Sequence, residues 1–237
     1  MSALLATRGL TAFYGDFQAL FGIDFEIHAG EAVAIIGANG AGKSTFLKTV
    51  TGLLAAPPDR IVFDGRAIGG MSAAAIVRQG IAMVPEGRRL FPSLSAEENL
   101  LIGGYTKRKG PWSLARVYEL FPALKEVRAL PGNALSGGQQ QMVAIGRALL
   151  ANPRLLICDE ISLGLSPLVV TALYGTLPAM MREGLTVIVV EQDVGIAQRT
   201  TDRLYCFQEG RVSLQGRSSE LARAAISTAY FGSGVAA

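Results

Sequence analysis

The chain has 237 residues, of which 50% are apolar and 17% are charged, so it can bury the core of an α/β domain. Its formal charge of +3 is scattered, without the basic stripe and interleaved aromatic residues that nucleic-acid binding needs, and we expect no nucleic-acid partner. The two cysteines, Cys158 and Cys206, lie in apolar segments whose spacing builds neither a disulfide framework nor a metal site, so we expect buried thiols. No signal-peptide pattern opens the chain, and no apolar run approaches the ~18–20 residues that cross a bilayer. We expect a cytoplasmic protein that would serve a membrane only by docking on another protein.

The first elements along the chain are strands and a glycine-rich turn. Residues 4–27 alternate loosely and predict antiparallel strands of a minor sheet. The apolar run Ala32–Ile36, bounded by glycine, predicts a parallel strand buried on both faces. After the glycine-rich turn, the pattern predicts a helix over Lys43–Leu54.

Further strand patterns recur later in the chain, and they alternate with helical patterns. They are Ile81–Val84, Leu155–Cys158, Thr186–Val190, Leu204–Phe207 and Arg211–Leu214. This alternation predicts a parallel sheet with crossover helices.

A segment without strand patterns interrupts this order. Ser95–Glu98 has the form of a capping box that opens a helix, Trp112–Phe121 has helical spacing, and a third helix begins near Ser136. We therefore predict an α/β core of residues 1–94 and 151–237 and a helical subdomain of residues 95–150 within a single domain.

The turn after the first buried strand matches the P-loop pattern, Gly-x-x-x-x-Gly-Lys-Ser. Glycines let backbone N–H groups approach phosphate oxygens, and the following helix adds partial positive charge at its N-terminus. Lys43 would bind the β- and γ-phosphates, and the Ser44 hydroxyl would bind Mg²⁺. The candidate nucleotide-binding residues here are Gly37, Ala38, Asn39, Gly40, Ala41, Gly42, Lys43, Ser44 and Thr45.

Two carboxylates follow the strand pattern that begins at Leu155. A buried strand that ends in Asp159 is a usual way to place a carboxylate beside the Mg²⁺ of a P-loop. Because side chains alternate along a strand, we expect Glu160 to point elsewhere and to polarise a water for attack on the γ-phosphate.

A second helix start suited to an anion occurs in Leu-Ser-Gly-Gly-Gln, residues 135–139. Ser136 suits an N-cap, and the glycines leave the N–H groups of the first turn open. The candidate residues of this turn are Ser136, Gly137, Gly138 and Gln139.

These three motifs, in this order, resemble those of the ABC ATPases over essentially the whole chain. The resemblance implies a P-loop NTPase core with a parallel sheet, a small antiparallel β-subdomain and an inserted helical subdomain. It also implies ATP and Mg²⁺ as ligands and a head-to-tail pair of ATPase subunits. Each ATP would lie between the P-loop of one subunit and the Ser136–Gln139 turn of the other.

Other positions are assigned by the same resemblance. Tyr14 falls where the family places an aromatic that stacks on adenine, although a core tyrosine is the alternative. Glu86 replaces the usual glutamine that contacts Mg²⁺, and Gln192 replaces the switch histidine near the γ-phosphate. Leu165 stands where the subunit-contact loop often has an aspartate.

Four segments together resemble one branch of the family. They are Pro85–Arg88, Ser162–Leu165, Val190–Gln192 and the C-terminal Ser227–Gly232. This branch is the shorter ATPase of high-affinity importers for branched-chain amino acids, which pairs with a second ATPase, two permeases and a periplasmic binding protein. We therefore expect an ATPase on the inner face of the bacterial plasma membrane.

Three alternatives stay open at this point. An importer of urea or short-chain amides uses a closely related ATPase. A soluble ABC ATPase acting on ribosomes, DNA or iron–sulfur assembly is disfavoured by the single motif set and the lack of heptads. A non-hydrolysing paralogue is disfavoured because Lys43, Ser44 and Glu160 are all present.

Overall fold

The computed structural model describes residues 2–231, with only the backbone of Phe231, so the end of the Ser227–Gly232 motif lies outside the described residues. The chain divides into two compact units. The first unit contains Met1–Ile76 and Thr186–Ala237, and the second contains Val77–Leu185. The segment 95–150 lies within the second unit, and its status as a separate subdomain stays a prediction.

The described residues form ten strands and ten α-helices. The strands are β1 (Leu5–Tyr14), β2 (Phe17–Ile27), β3 (Ala32–Ile36), β4 (Ile61–Phe63), β5 (Arg66–Ala67), β6 (Ile81–Val84), β7 (Leu155–Asp159), β8 (Thr186–Val190), β9 (Arg203–Gln208) and β10 (Arg211–Arg217). The helices are α1 (Lys43–Val50), α2 (Ala73–Gln79), α3 (Ala96–Ile102), α4 (Leu114–Leu120), α5 (Ala123–Glu126), α6 (Gly137–Leu149), α7 (Pro167–Tyr174), α8 (Leu177–Arg182), α9 (Val194–Thr200) and α10 (Arg223–Phe231). None of these helices is long and apolar enough to cross a bilayer.

The first unit contains the predicted antiparallel sheet, with the strand order β2-β1-β4-β5. The β1–β2 pair confirms the prediction for residues 4–27. The short β4–β5 hairpin is an addition that the apolar pattern did not predict. It turns at Asp64 and Gly65, whose φ angles of 50° and 74° suit the Asp-Gly turn of a two-residue hairpin.

A parallel sheet also forms in the first unit, where β3 pairs with β8 on one side and β9 on the other. Every residue of β3 and β8 is buried, as expected for strands covered on both faces. The pairing of β10 with β9 is antiparallel, because the tight turn at Glu209 and Gly210 connects them as a hairpin.

Helix α1 ends earlier than predicted, at Val50 rather than Leu54. Gly52 adopts the left-handed conformation with φ of 71°, and the Leu53 N–H donates to the Lys48 carbonyl at 2.8 Å. This is the Schellman pattern that closes a helix. The apolar residues Leu53 and Leu54 therefore follow the helix instead of extending it.

The second unit pairs β6 with β7 in parallel, at the positions that the sequence predicted. Ser95 and Glu98 form the expected capping box at the start of α3. The helix predicted over Trp112–Phe121 is shorter, because Ser113 caps it and Pro122 follows its end.

Close contact between α3 and α6 organises the second unit. A Cβ added to Gly103, just after α3, would lie 1.8 Å from the Arg147 carbonyl oxygen in α6. A Cβ on Gly146 would lie 2.6 Å from Leu100 Cδ2. Both positions therefore need glycine for the backbone of one helix to approach the other.

Candidate functional site

The P-loop between β3 and α1 is a backbone cradle that requires glycine. A Cβ added to Gly37, whose φ is 150°, would lie 2.3 Å from the carbonyl oxygen of Phe207. A Cβ added to Gly42, whose φ is 102°, would lie 2.9 Å from Leu20 Cδ2. Gly40 has φ of 83°, a left-handed conformation that favours glycine, and open space where its Cβ would project. The Ala41 carbonyl accepts a hydrogen bond from Gly210 N–H at 3.0 Å, which ties the loop to the β9–β10 turn.

Positive charge concentrates at the start of α1. Lys43 is only 5% exposed, and its Nζ donates to the carbonyl oxygens of Gly37 at 2.6 Å and Ala38 at 3.2 Å. The N-cap residue of α1 is a glycine without a capping side chain, so the first-turn N–H groups of Ser44 and Thr45 have no acceptor within the helix. This helix start can bind an anion.

Gln192 meets the P-loop within the first unit. Its Nε2 lies 3.3 Å from Asn39 Oδ1 and donates to it. The backbone brings it there, because the neighbouring Glu191 N–H continues the strand pairing by donating to the Ile35 carbonyl at 3.1 Å. Asp193 then caps α9 by accepting from Ile196 N–H at 3.0 Å. The two sequence-predicted segments are therefore neighbours.

Tyr14 ends β1 and lies at the surface rather than in the core. Its side chain is 44% exposed, which removes the alternative of a core tyrosine. The Lys48 ammonium of α1 lies 5.9 Å from the centre of its ring. An accessible aromatic face beside α1 can stack on a planar ligand.

In the second unit, the two acids at the end of β7 differ in conformation. Asp159 is the last strand residue and is 8% exposed. Glu160 lies outside the strand in the left-handed region, with φ of 47°. Its direction therefore comes from this turn and not from the alternation along a strand on which the expectation relied. A left-handed glutamate is uncommon and occurs where the surrounding structure enforces it.

The Ser136–Gln139 turn opens α6 with a full capping box. Ser136 N–H donates to Gln139 Oε1 at 2.9 Å, and Gln139 N–H donates to Ser136 Oγ at 3.3 Å. The capping box confirms Ser136 as an N-cap. A Cβ on Gly138 would lie 2.9 Å from Val169 Cγ1 of α7, so this glycine also allows close packing.

Glu86 lies on an exposed loop that follows β6. Two side chains that the motifs did not single out form hydrogen bonds with the residues after Glu86. Arg147 of α6 donates to backbone carbonyls of this loop, and Asn99 of α3 bonds to its later part. A basic residue late in a helix and an asparagine within one have no distinctive sequence pattern. Only the three-dimensional packing singles them out.

Together, the glycine cradle on a parallel sheet and the capped Gly-Gly helix start define an ATP-binding cassette. The family described as ABC transporter matches residues 20–162, and the chain belongs to this family.

Named relatives and solved structures agree with this assignment. The high-affinity branched-chain amino acid transport ATP-binding protein BraG of Pseudomonas aeruginosa is 41% identical over 220 residues, which cover 92% of this chain and 94% of BraG. A solved ATP-binding cassette of an ABC transporter has a TM-score of 0.83 and 26% identity, with 98% of this chain and all of that chain covered. A dimeric cassette in a post-hydrolysis state, bound to ADP and phosphate, has a TM-score of 0.80 and 26% identity over 90% of this chain and 98% of that chain.

Proposed function

We propose that this protein is the ATP-hydrolysing subunit that energises an importer of branched-chain amino acids. The observation that carries the proposal is the 41% identity to BraG over nearly the full length of both chains. The P-loop geometry supports the ATPase part, since its glycines and Lys43 form a cradle that suits phosphate oxygens.

The first unit would bind the nucleotide. Lys43 would exchange its two carbonyl acceptors for the β- and γ-phosphate oxygens, while the N–H groups from Ala38 to Thr45 would hold the remaining oxygens. Tyr14 would stack on adenine with its exposed face. Gln192, already beside Asn39, would donate a hydrogen bond to the γ-phosphate.

Mg²⁺ is a hard cation that prefers oxygen ligands and retains several waters. We propose Ser44, Asp159 and Glu86 as the protein ligands. Mg²⁺, when bound, would neutralise part of the charge that develops on the phosphates. Glu160 would accept the proton of the attacking water at its carboxylate, which makes that water a better nucleophile.

A head-to-tail dimer would complete each ATP site, with the Ser136–Gln139 turn supplied by the second ATPase subunit. The dimeric relative bound to ADP and phosphate supports such a pair. In the closed dimer alone, hydrogen-bond donors of this turn would contact the negative charge on the phosphates. Removing one such donor typically lowers the rate of the chemical step by ~10²–10³-fold. Closure that depends on ATP can then drive movement of an attached permease.

The second unit offers a surface for that permease. Large apolar side chains stand about half exposed along α3 and the segments beside it, an arrangement that marks interaction sites. They are Phe91, Leu101, Ile102 and Tyr105. We propose that the permease subunits dock here and beside Glu86, which would hold the protein on the inner face of the plasma membrane. A solute-binding protein outside would then select the transported molecule.

The Gln192→Ala substitution tests the switch position. We expect ATP turnover to fall about 10-fold or more, from the loss of one charge-assisted hydrogen bond in the transition state. The dissociation constant for ATP should change less than about threefold, since Lys43 and the P-loop remain. Turnover measured under saturating Mg-ATP checks this, and an unchanged rate would remove Gln192 from the site.

The function itself is tested by reconstituting the protein with its permeases, second ATPase and binding protein in lipid vesicles. Leucine, isoleucine or valine should stimulate ATP hydrolysis and accumulate inside the vesicles. Stimulation by urea or a short-chain amide instead would replace the proposed substrate while keeping the motor function. Hydrolysis that responds to none of these ligands would contradict the importer proposal.

A further inference from the structure

The loop after Glu86 has a strained turn that the proposed nucleotide chemistry does not explain. Gly87, Arg88 and Arg89 are all left-handed, with φ angles of 75°, 63° and 48°. Glycine adopts this conformation readily, but consecutive residues with a Cβ do so only when their surroundings compensate for the strain. The turn is also tight, since Arg89 N–H lies 2.6 Å from the Gly87 carbonyl oxygen.

Arg147 of α6 supplies that compensation. Its Nη1 donates to the Arg89 carbonyl at 2.9 Å, and its Nη2 donates to the Arg88 carbonyl at 3.0 Å. The guanidinium is half-buried, and this burial lowers its pKa. Among the described residues, the side chain of Arg147 donates to these two carbonyl oxygens. A planar two-pronged donor can hold adjacent carbonyls in a way that a single ammonium cannot.

The same turn returns to the beginning of α6. Arg88 Nη1 donates to Gln140 Oε1 at 3.3 Å, and Gln140 Nε2 donates to the Gly132 carbonyl at 3.0 Å. A Cβ on Gly137 would lie 3.3 Å from Arg88 Nη2. The guanidinium of Arg88 therefore lies against the first turn of α6, while Arg147 holds Arg88 from a later turn of the same helix.

Asn99 of α3 fixes the rest of the loop. It is fully buried, and its Oδ1 accepts from Phe91 N–H at 2.8 Å. The two N–H groups of its Nδ2 are shared among the carbonyl oxygens of Phe91, Leu94 and Ser95, which lie 3.0–3.1 Å from the nitrogen. Residues 88–95 are thus bonded to α6 at one end and to α3 at the other, and α3 itself packs closely on α6.

We propose that Arg147 is a positioning residue that locks the Glu86–Arg89 turn to α6, so that displacement of this loop moves the Ser136–Gln139 turn. The inference rests on the proposed function, because the loop would receive the push of the permease. The proposed lock also accounts for the strained turn, because a rigid turn transmits displacement whereas a relaxed loop absorbs it.

The test uses the Arg147→Met variant, which keeps the length and apolar stem of the side chain but removes both donors. Hydrogen exchange at the amides of residues 88–90 should become at least 10-fold faster. In the reconstituted transporter, stimulation of ATP hydrolysis by loaded binding protein should fall at least 10-fold, while the dissociation constant for ATP stays within threefold. Arg147→Lys should give an intermediate loss, because one nitrogen cannot serve both carbonyls equally.

A second substitution separates attachment to α6 from relief of backbone strain. Adding Arg89→Gly to Arg147→Met relieves the strain of the left-handed turn without restoring the two bonds from α6, so stimulation should stay within threefold of that of Arg147→Met alone, and recovery to the wild-type level would overturn the lock. Arg128→Met, which alters an exposed arginine of the same unit, is the matched control and should behave as wild type.

Should Arg147→Met fail to fold, a double-mutant cycle of Arg88→Ala and Gln140→Ala should still give non-additive losses of stimulation.

Wild-type stimulation and exchange in Arg147→Met, or additive losses in the cycle, would overturn the inference. Faster exchange without loss of stimulation would also overturn it, since the turn would then be irrelevant to coupling. If the wild-type transporter hydrolyses no ATP, the proposed function fails instead, and unchanged exchange in Arg147→Met would separately refute the lock.

Discussion

Replacing Glu160 with glutamine should lower ATP turnover by roughly 10²–10⁴-fold, the range typical of a lost general base. Glutamine has nearly the same size and can adopt the left-handed conformation seen at this position, whose φ is 47°. It cannot accept the proton of the attacking water, however. ATP affinity should be retained or increased, because the substitution removes a negative charge without altering the P-loop.

Two measurements on this variant distinguish catalysis from binding. Single-turnover hydrolysis should be almost absent, and a sedimentation or light-scattering experiment with Mg-ATP and the partner ATPase should show an accumulated dimer. Glu126→Gln, at an exposed position on α5, is the charge-matched control and should hydrolyse ATP normally. A Glu160→Gln protein that turns over at the wild-type rate would show that another group activates the water.

The Lys43→Met substitution should weaken ATP binding by about 10–100-fold, corresponding to about 1.5–3 kcal/mol for a hydrogen bond with a charged group. The ammonium is almost completely buried and already contacts the P-loop carbonyls of Gly37 and Ala38. Methionine fills a similar volume but provides neither charge nor donor. Turnover at subsaturating ATP should fall at least as much as affinity.

Thermal melting with and without nucleotide checks the Lys43→Met prediction in a second way. A ligand that binds only the folded state raises its stability according to concentration over dissociation constant. Mg-ATP should therefore raise the melting temperature of the wild type and of Lys125→Met, a control at an exposed position. The rise for Lys43→Met should be much smaller. An equal rise in all three proteins would contradict the proposed role of Lys43.

Much of the sheet could be predicted because its strands are short apolar runs between glycines and polar turns. The bounds of β3, β6 and β8 are those expected from the sequence. The exceptions were elements whose bounds are set by turn residues rather than by a run of apolar residues. The β4–β5 hairpin depends on an Asp-Gly turn between very short strands, and α1 stops at Gly52 although two leucines continue its apolar pattern.

The candidate site shows a similar division. The P-loop, the acidic strand end and the Ser136 cap follow from local residue types, because each motif carries its own backbone chemistry. The left-handed form of Glu160 and of the turn at Arg88 does not follow from local sequence. The turn at Arg88 is held by contacts with Arg147, a residue distant in the chain that had no pattern to distinguish it from a surface arginine.

The two cysteines lie in strands of different units, Cys206 in β9 of the first and Cys158 in β7 of the second, and each thiol is buried. Burial also raises the pKa of Cys206, which makes its thiolate scarcer. A thiol-modifying reagent can therefore react only after the surrounding strand opens. In variants that retain only one of the two cysteines, the rate of thiol modification would report how often the surrounding strand opens. Each unit could thus be followed separately without an engineered label.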